Sequence, residues 1–253
     1  MSRRVAIVGL GLIGGSLGMA LVRRGWDVSF VDPNVSEDEA HAKQAASRKL
    51  DAVPDDVDLI VLATPVDVAE RVLSGARRAR YTSTCSVMAP LVAAAQDLDF
   101  IAGHPLAGSE QHGLATARSD LFQDKRWFIH RSDPDVEEMI ESAGASVHIV
   151  DADEHDRAIA YTSHLPQLVS TALAALVAEQ GTSLEPFYGS GLASILRLAG
   201  SDYSVWESVL ESNRPHVSSA IEELFAKMRQ IGGSDFARAQ ELWDALVRGR
   251  HGR

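Results

Sequence analysis

Short apolar runs alternate with amphipathic stretches through the first half of the chain. Arg4-Val-Ala-Ile-Val8 is a β-branched run that stops at Gly9, and an apolar helical pattern follows from Ile13 to Arg24, closed by Gly25. Val28-Ser-Phe-Val31 ends at Asp32 and Pro33, a polar segment from Glu37 to Arg48 reads as a helix, and Leu59-Ile-Val-Leu-Ala63 stops at Thr64-Pro65. Tyr81 to Cys85, Phe100 to Ala102, Trp127 to His130 and Ser146 to Val150 also have strand character, with helical segments between most of them. Strands alternating with helices of this length predict an α/β fold, a doubly wound and mostly parallel sheet covered on both faces.

The pattern changes after Val150. Ala, Leu, Ser and Glu recur at helical spacing over Ala152 to Ser163, Pro166 to Gln180, Tyr203 to Asn213, Val217 to Gln230 and Asp235 to Arg248, without a convincing strand. A boundary near residue 151 divides the chain into an α/β domain over 1–150 and an all-helical domain over 151–253. Ser204 and Glu207 have capping-box spacing, with Asp202 competing as the cap. One stretch, Gly103-His-Pro-Leu-Ala-Gly-Ser-Glu-Gln-His-Gly113, has the period of neither element and reads as a loop.

Composition narrows the partners. The chain has 253 residues, 45% of them apolar, and a formal net charge of −11, which disfavours nucleic acid or an anionic membrane as partner. An anionic substrate would need a local basic pocket. The single Cys85 fits a reducing compartment, and neither a cleavage-site pattern nor a long apolar span is found, so the expected location is the cytoplasm.

Gly9-Leu-Gly11-Leu12-Ile13-Gly14 follows a strand and opens a helix, the setting in which this glycine spacing marks a Rossmann-type dinucleotide site. Gly9 permits the tight turn, Gly11 lets a pyrophosphate approach the backbone, and Gly14 lets helix and strand pack closely. The helix N-terminus then offers free N–H groups to the phosphates. Asp32, at the end of the second strand, suits the ribose hydroxyls and repels a 2′-phosphate, favouring NAD over NADP. Thr64-Pro65, Ser86 and His104 each follow a predicted strand, so all can border the crevice in which ligands of such sheets bind. A histidine there can take a hydroxyl proton while hydride leaves the same carbon. No short-spaced metal-ligand set is found, and no metal is expected.

Val5-Ala-Ile-Val-Gly-Leu-Gly-Leu-Ile-Gly-Gly-Ser-Leu17, Gly103-His-Pro-Leu-Ala-Gly-Ser-Glu110, Ser163-His-Leu-Pro166, and Arg197-Leu-Ala-Gly-Ser-Asp202 with Trp206 and Asn213 occur in that order. Together they closely resemble the prephenate and arogenate dehydrogenase family of tyrosine biosynthesis. The resemblance implies an NAD-dependent oxidative decarboxylation of a cyclohexadienol, with prephenate as substrate or, alternatively, arogenate or an amino-substituted prephenate. It also implies a homodimer formed through the helical domain. By motif, His104 would accept the ring hydroxyl proton, Ser86 would hydrogen-bond beside it, and Arg197 would hold a substrate carboxylate. Ser109 and Glu110 would shape the pocket, with His164, Gln167 and Trp206 on its wall.

The chain departs from the family pattern at Gln167, where many members have a second histidine after Ser-His-Leu-Pro, and at Met88, Ser190 and Ser194. His112 matches no family position. A β-hydroxyacid dehydrogenase would need a catalytic lysine early in the second domain, yet no lysine lies between Lys125 and Lys227. A nucleotide sensor without catalysis is disfavoured by the presence of both His104 and Arg197.

Overall fold

In strand β1 (Arg4–Val8) the residues Val5 to Val8 are all buried, because strands flank it on both edges and helices cover both faces. The fold is a computed structural model that describes residues 3–76, 78–108 and 111–251. From β1 the chain runs through α1 (Leu12–Arg23), β2 (Asp27–Val31), α2 (Glu37–Ala42), β3 (Arg48–Lys49), β4 (Leu59–Leu62), α3 (Val66–Ser74), β5 (Arg80–Ser83), α4 (Ala89–Ala95) and β6 (Asp99–Ile101). These strands form a six-stranded parallel sheet in the order β3-β2-β1-β4-β5-β6. The order in which strands are added reverses between β1 and β4, which stay parallel, and the crevice at that switch point is where such sheets take their ligands.

A second sheet continues from the first. β7 (Gly103–Pro105) pairs antiparallel with β8 (Arg126–Ile129), which pairs parallel with β9 (Ser146–Ile149) after α5 (Pro134–Ser142). Ala102 is the joint between the sheets: its N–H donates to His130 Nδ1 at 3.0 Å, and its carbonyl accepts from the His130 N–H at 3.1 Å. Leu17, Leu21, Phe30, Phe122, Trp127 and Ile140 fill one face of the large sheet, and Ile60, Leu62, Leu73, Met88, Leu91 and Phe100 fill the other. Each such buried side chain contributes roughly 1.5–3 kcal/mol relative to exposure.

The remaining elements are helical: α6 (Ala152–Ile159), α7 (Leu165–Glu179), α8 (Ser190–Leu196), α9 (Tyr203–Ser212), α10 (Arg214–Arg229) and α11 (Gly233–His251). Here the apolar residues are poorly covered, and Leu176, Phe187, Ile195, Phe225, Leu242 and Trp243 are exposed. Among the described residues no helix is long and apolar enough to cross a membrane.

Several local expectations are corrected. The segment opening at Gly103 is not loop from its first residue, since Gly103, His104 and Pro105 pair with Ile129, Phe128 and Trp127. The helix expected over 37–48 ends at Ala42 because the chain turns through Gln44 at φ 55°, and residues 48–49 join the sheet edge. The helices expected over 152–163 and 166–180 are one continuous rod, joined by a π-helical turn over Ala160–His164. Pro166 has no N–H to donate back, and the Leu165 N–H reaches five residues back to the Ala160 carbonyl. Asp202, rather than Ser204, caps α9.

Candidate active site

The nucleotide loop is shaped by two close approaches. Gly9 adopts φ +92°, and a Cβ there would lie 2.5 Å from the Ala63 carbonyl oxygen. A Cβ on Gly14 would run into the Gly9 carbonyl, so the first turn of α1 sits directly on the loop. Gly11 differs, because a Cβ there would meet nothing within 4 Å. That open space lies over the N-terminus of α1, which has no side-chain cap and no acidic residue in its first turn. Free N–H groups, uncompensated dipole and space together fit a dinucleotide pyrophosphate. Half-buried Asp32 accepts from Leu10 N at 2.7 Å and from Asn34 N at 2.7 Å, so one carboxylate ties the glycine loop to the end of β2. Leu12 and Ile13 are half-buried in the first turn of α1, while Thr64 and Pro65 lead into α3 beside the loop.

The end of β5 approaches the start of β7: Gly103 N donates to Ser83 Oγ at 3.1 Å. This contact brings the segment carrying Ser86 alongside the one carrying His104. Ser86 is half-buried and has no side-chain hydrogen bond among the described residues. Neighbouring Cys85 faces the Thr64 carbonyl at 3.4 Å, and burial pushes its thiol up to about 12, so it is not a thiolate.

His104 is half-buried in β7 with its ring edge-on to His155, and its Nδ1 lies 3.0 Å from His155 Nε2. The other nitrogen of His155 is 2.8 Å from Asp156 Oδ1. Asp156 is itself fixed, accepting from Met88 N at 2.8 Å and Ala89 N at 2.8 Å where α4 begins. Burial, reinforced by His155 and His164, pushes the His104 imidazole down to about 3, so it is a neutral ring near pH 7.

His164 is wholly buried in the π turn, packed edge-on against half-buried Trp206 of α9. Asn213 donates one amide hydrogen to the Asp156 carbonyl at 2.8 Å, which settles the amide's orientation, and its other faces His164 Nδ1 at 3.1 Å. His164 Nδ1 is therefore an acceptor and Nε2 carries the hydrogen; that buried Nε2 has no partner among the described residues. Burial holds this ring down to about 4, against the opposing pull of Asp156.

Gln167 lies one turn beyond His164, but its amide is engaged by protein: Nε2 donates to the Leu198 carbonyl at 2.9 Å and to Thr171 Oγ1 at 3.1 Å. Gln167 thus anchors the tight turn Arg197–Gly200, where Arg197 is exposed. Ser109 and Glu110 lie outside the described residues. Exposed His112 beyond them helps hold the Asp202 carboxylate below its usual range, after the larger effect of hydrogen bonds from Ser204. Among the described residues no cluster suited to a metal ion is formed.

Sequence reasoning missed His155 and Asp156. In a charged run of acids they look solvated, but Ala152, His155, Asp156 and Ile159 share one helix face, and that face is buried. That spacing was the available signal.

The family model described as prephenate dehydrogenase, nucleotide-binding domain, matches residues 17–152, and that described as prephenate dehydrogenase, dimerization domain, matches residues 151–248. The "Probable prephenate dehydrogenase NovF" of Streptomyces niveus is 32% identical over 240 residues, covering 88% of this chain and 66% of its own length. The prephenate dehydrogenase of Lactococcus lactis is 27% identical over 244 residues, covering 89% of this chain and 69% of its own. The chain thus spans about two thirds of the length of these curated relatives. The prephenate dehydrogenase of Aquifex aeolicus, solved with hydroxyphenyl propionate and NAD+, shares the fold at TM-score 0.81 and 24% identity, covering 99% of this chain and 96% of its own. With two family models matching consecutive segments of one fold, the chain belongs to the prephenate dehydrogenase family.

Proposed function

We propose that this protein is an NAD-dependent prephenate dehydrogenase of tyrosine biosynthesis, oxidising prephenate with loss of carbon dioxide to 4-hydroxyphenylpyruvate. The observation that carries the reading is a half-buried His104 in β7, whose neighbour Gly103 donates to Ser83 at the end of β5 of the parallel sheet. Gly9, Gly11, Leu12, Ile13 and Gly14 would hold the pyrophosphate, Asp32 the adenosine ribose, and Thr64 and Pro65 the approach to the nicotinamide. NAD supplies the acceptor for the hydride that leaves ring C4.

His104 takes the proton of the C4 hydroxyl as that carbon becomes a carbonyl, with Ser86 hydrogen-bonding to the same oxygen. The bond from the ring to its carboxylate then breaks, and its electron pair completes the aromatic ring. The oxygen becomes a phenolate and recovers the proton from His104, so the histidine borrows a proton and none is released overall. Aromatisation drives the step, so the protein's task is mainly positioning. His164 offers its Nε2–H to a substrate oxygen, Trp206 walls the ring, Arg197 pairs with a carboxylate, and Ser109 and Glu110 complete the pocket. Gln167 acts by anchoring the Arg197 turn.

On this reading residues 1–150 bind NAD and residues 151–253 form the helical unit. Exposed Leu176, Phe225, Leu242 and Trp243 support a homodimer through that unit, as does the family model's description as a dimerization domain. A buried Cys85 thiol accords with a cytoplasmic setting.

The test is NADH formation by purified protein offered prephenate or arogenate, each with NAD or NADP. Prephenate with NAD is expected to give the highest kcat/KM; absence of turnover with every pair rejects the reading. His104→Ala should lower kcat by about 10²–10⁴-fold at nearly unchanged NAD affinity. Arg197→Ala should raise the substrate KM by roughly 10–100-fold, the loss of a charge-assisted pair. Wild-type kcat or wild-type KM, respectively, would reject these assignments.

A further inference from the structure

Two facts constrain where the protons sit around His104. Asp156 is an acceptor whose oxygens already receive the Met88 and Ala89 N–H groups, so His155 Nδ1, 2.8 Å away, must donate to it. A neutral His155 then has a bare Nε2, and the 3.0 Å contact to His104 Nδ1 needs a hydrogen between them, which only His104 can supply. That leaves Nε2 as the sole lone pair of the His104 ring. An isolated imidazole prefers the opposite tautomer, with hydrogen on Nε2.

We propose that His155, held by Asp156, is a positioning residue for His104: it fixes the tautomer that exposes Nε2 as the base, and it takes over the Nδ1 proton when Nε2 becomes protonated. This deepens the dehydrogenase reading and rests on it. The step balances. The substrate O–H bond breaks as His104 Nε2–H forms, and His104 Nδ1–H breaks as His155 Nε2–H forms. The result is a neutral His104 and a His155 imidazolium against the Asp156 carboxylate. Every transfer reverses when the phenolate recovers its proton, so no further reactant is needed.

The surroundings favour moving the charge inward. An imidazolium confined to His104 is disfavoured by its burial, whereas one on His155 sits 2.8 Å from a carboxylate. The other titratable group facing the pair, among the described residues, is His164 from the π turn, and burial holds it neutral. Phe128 of β8 packs its ring against His155 on a further side. Orientation alone is the lesser alternative, and a variant separates the two.

Glutamine at position 155 can accept from His104 Nδ1–H and donate to Asp156 but cannot carry the proton; leucine can do neither. The readouts are kcat, KM and the pH profile of kcat with prephenate and NAD, together with the His104 tautomer by nitrogen-15 NMR in the NAD-bound protein. Wild type should show the proton on His104 Nδ1. His155→Leu should return it towards Nε2 and lower kcat by about 100-fold or more, with substrate KM and NAD affinity changed much less. His155→Gln should retain the Nδ1–H tautomer and recover part of kcat, while the acid limb of its profile moves down by about one pH unit or more. A wild-type His104 protonated at Nε2 would overturn the proposal, as would a His155→Gln variant with wild-type kcat and profile. If His155→Leu does not fold, the glutamine variant decides. If wild-type protein turns over neither prephenate nor arogenate, the dehydrogenase reading fails, and the tautomer measurement still decides the hydrogen-bond chain.

Discussion

Gly11 and Gly14 stand three residues apart in one motif, yet alanine at each should act differently on stability. At Gly14 the added Cβ meets the Gly9 carbonyl well inside the 3.0 Å that real Cβ atoms tolerate, with Ala63 Cβ at 3.1 Å on the other side. The loop backbone has to retreat by about 1 Å or more, and strain of this kind costs roughly 1–3 kcal/mol. At about 2–4 °C per kcal/mol for a chain of this size, Gly14→Ala should lower Tm by roughly 2–12 °C. It should weaken NAD binding as well, because the displaced carbonyl belongs to the loop proposed to hold the pyrophosphate.

Gly11 has φ −80° and ψ −150°, an extended backbone at the edge of the region open to alanine, and an open space at its Cβ. Gly11→Ala should shift Tm much less than Gly14→Ala does, because no atom meets the added methyl group. The methyl group would nonetheless occupy the phosphate position. Losing one charge-assisted N–H bond, about 1.5–3 kcal/mol, weakens NAD by roughly 10–100-fold. Differential scanning fluorimetry reads the first effect, and NAD titration by calorimetry reads the second. Wild-type NAD affinity in Gly11→Ala, or a wild-type Tm in Gly14→Ala, would refute the geometry on which the cofactor site rests.

Asp156→Ala leaves Met88 N, Ala89 N and His155 Nδ1 without their acceptor in a buried joint, and should destabilise by about 3–5 kcal/mol in urea unfolding; a loss under about 1 kcal/mol would show that the joint is dispensable. Stability should also fall with acid. His130 and His164 both accept a hydrogen bond at Nδ1, and burial lowers both below the unfolded value near 6.5, His164 to about 4. The unfolded chain binds these protons first, so their contribution is complete above pH 6.5 and is lost as pH falls towards 4, by up to about 1.4 kcal/mol per pH unit for His164. Urea midpoints taken from pH 7.5 down to 5 should fall, and His164→Gln, which removes the titrating ring, should remove the His164 share; a flat wild-type series would refute it.

The sequence by itself determined what depends on neighbours along the chain. The glycine loop is legible because φ +92° at Gly9 and the contact at Gly14 are demands on local backbone, met only by residues without Cβ. Strands β1 and β4 are legible because burial on both faces requires runs of apolar residues, and β2 because Val28, Phe30 and Val31 flank its one buried polar residue, Ser29. The helical second half follows from periodicity in the same way, although the junction at Pro166 hides a rod that a π turn keeps continuous.

Only the tertiary structure decided the rest. β7 is three residues long, one of them a proline, too short to show a period, and it is a strand because β8 returns beside it. His104 could be suspected from its motif, but which of its nitrogens is the base depends on His155, 51 positions away, and on Asp156 beyond it. His164 takes its tautomer from Asn213, 49 positions away, by the same kind of contact. A side chain's chemical type is written at its position in the chain. Its proton is placed by donors and acceptors that only folding brings within 3 Å.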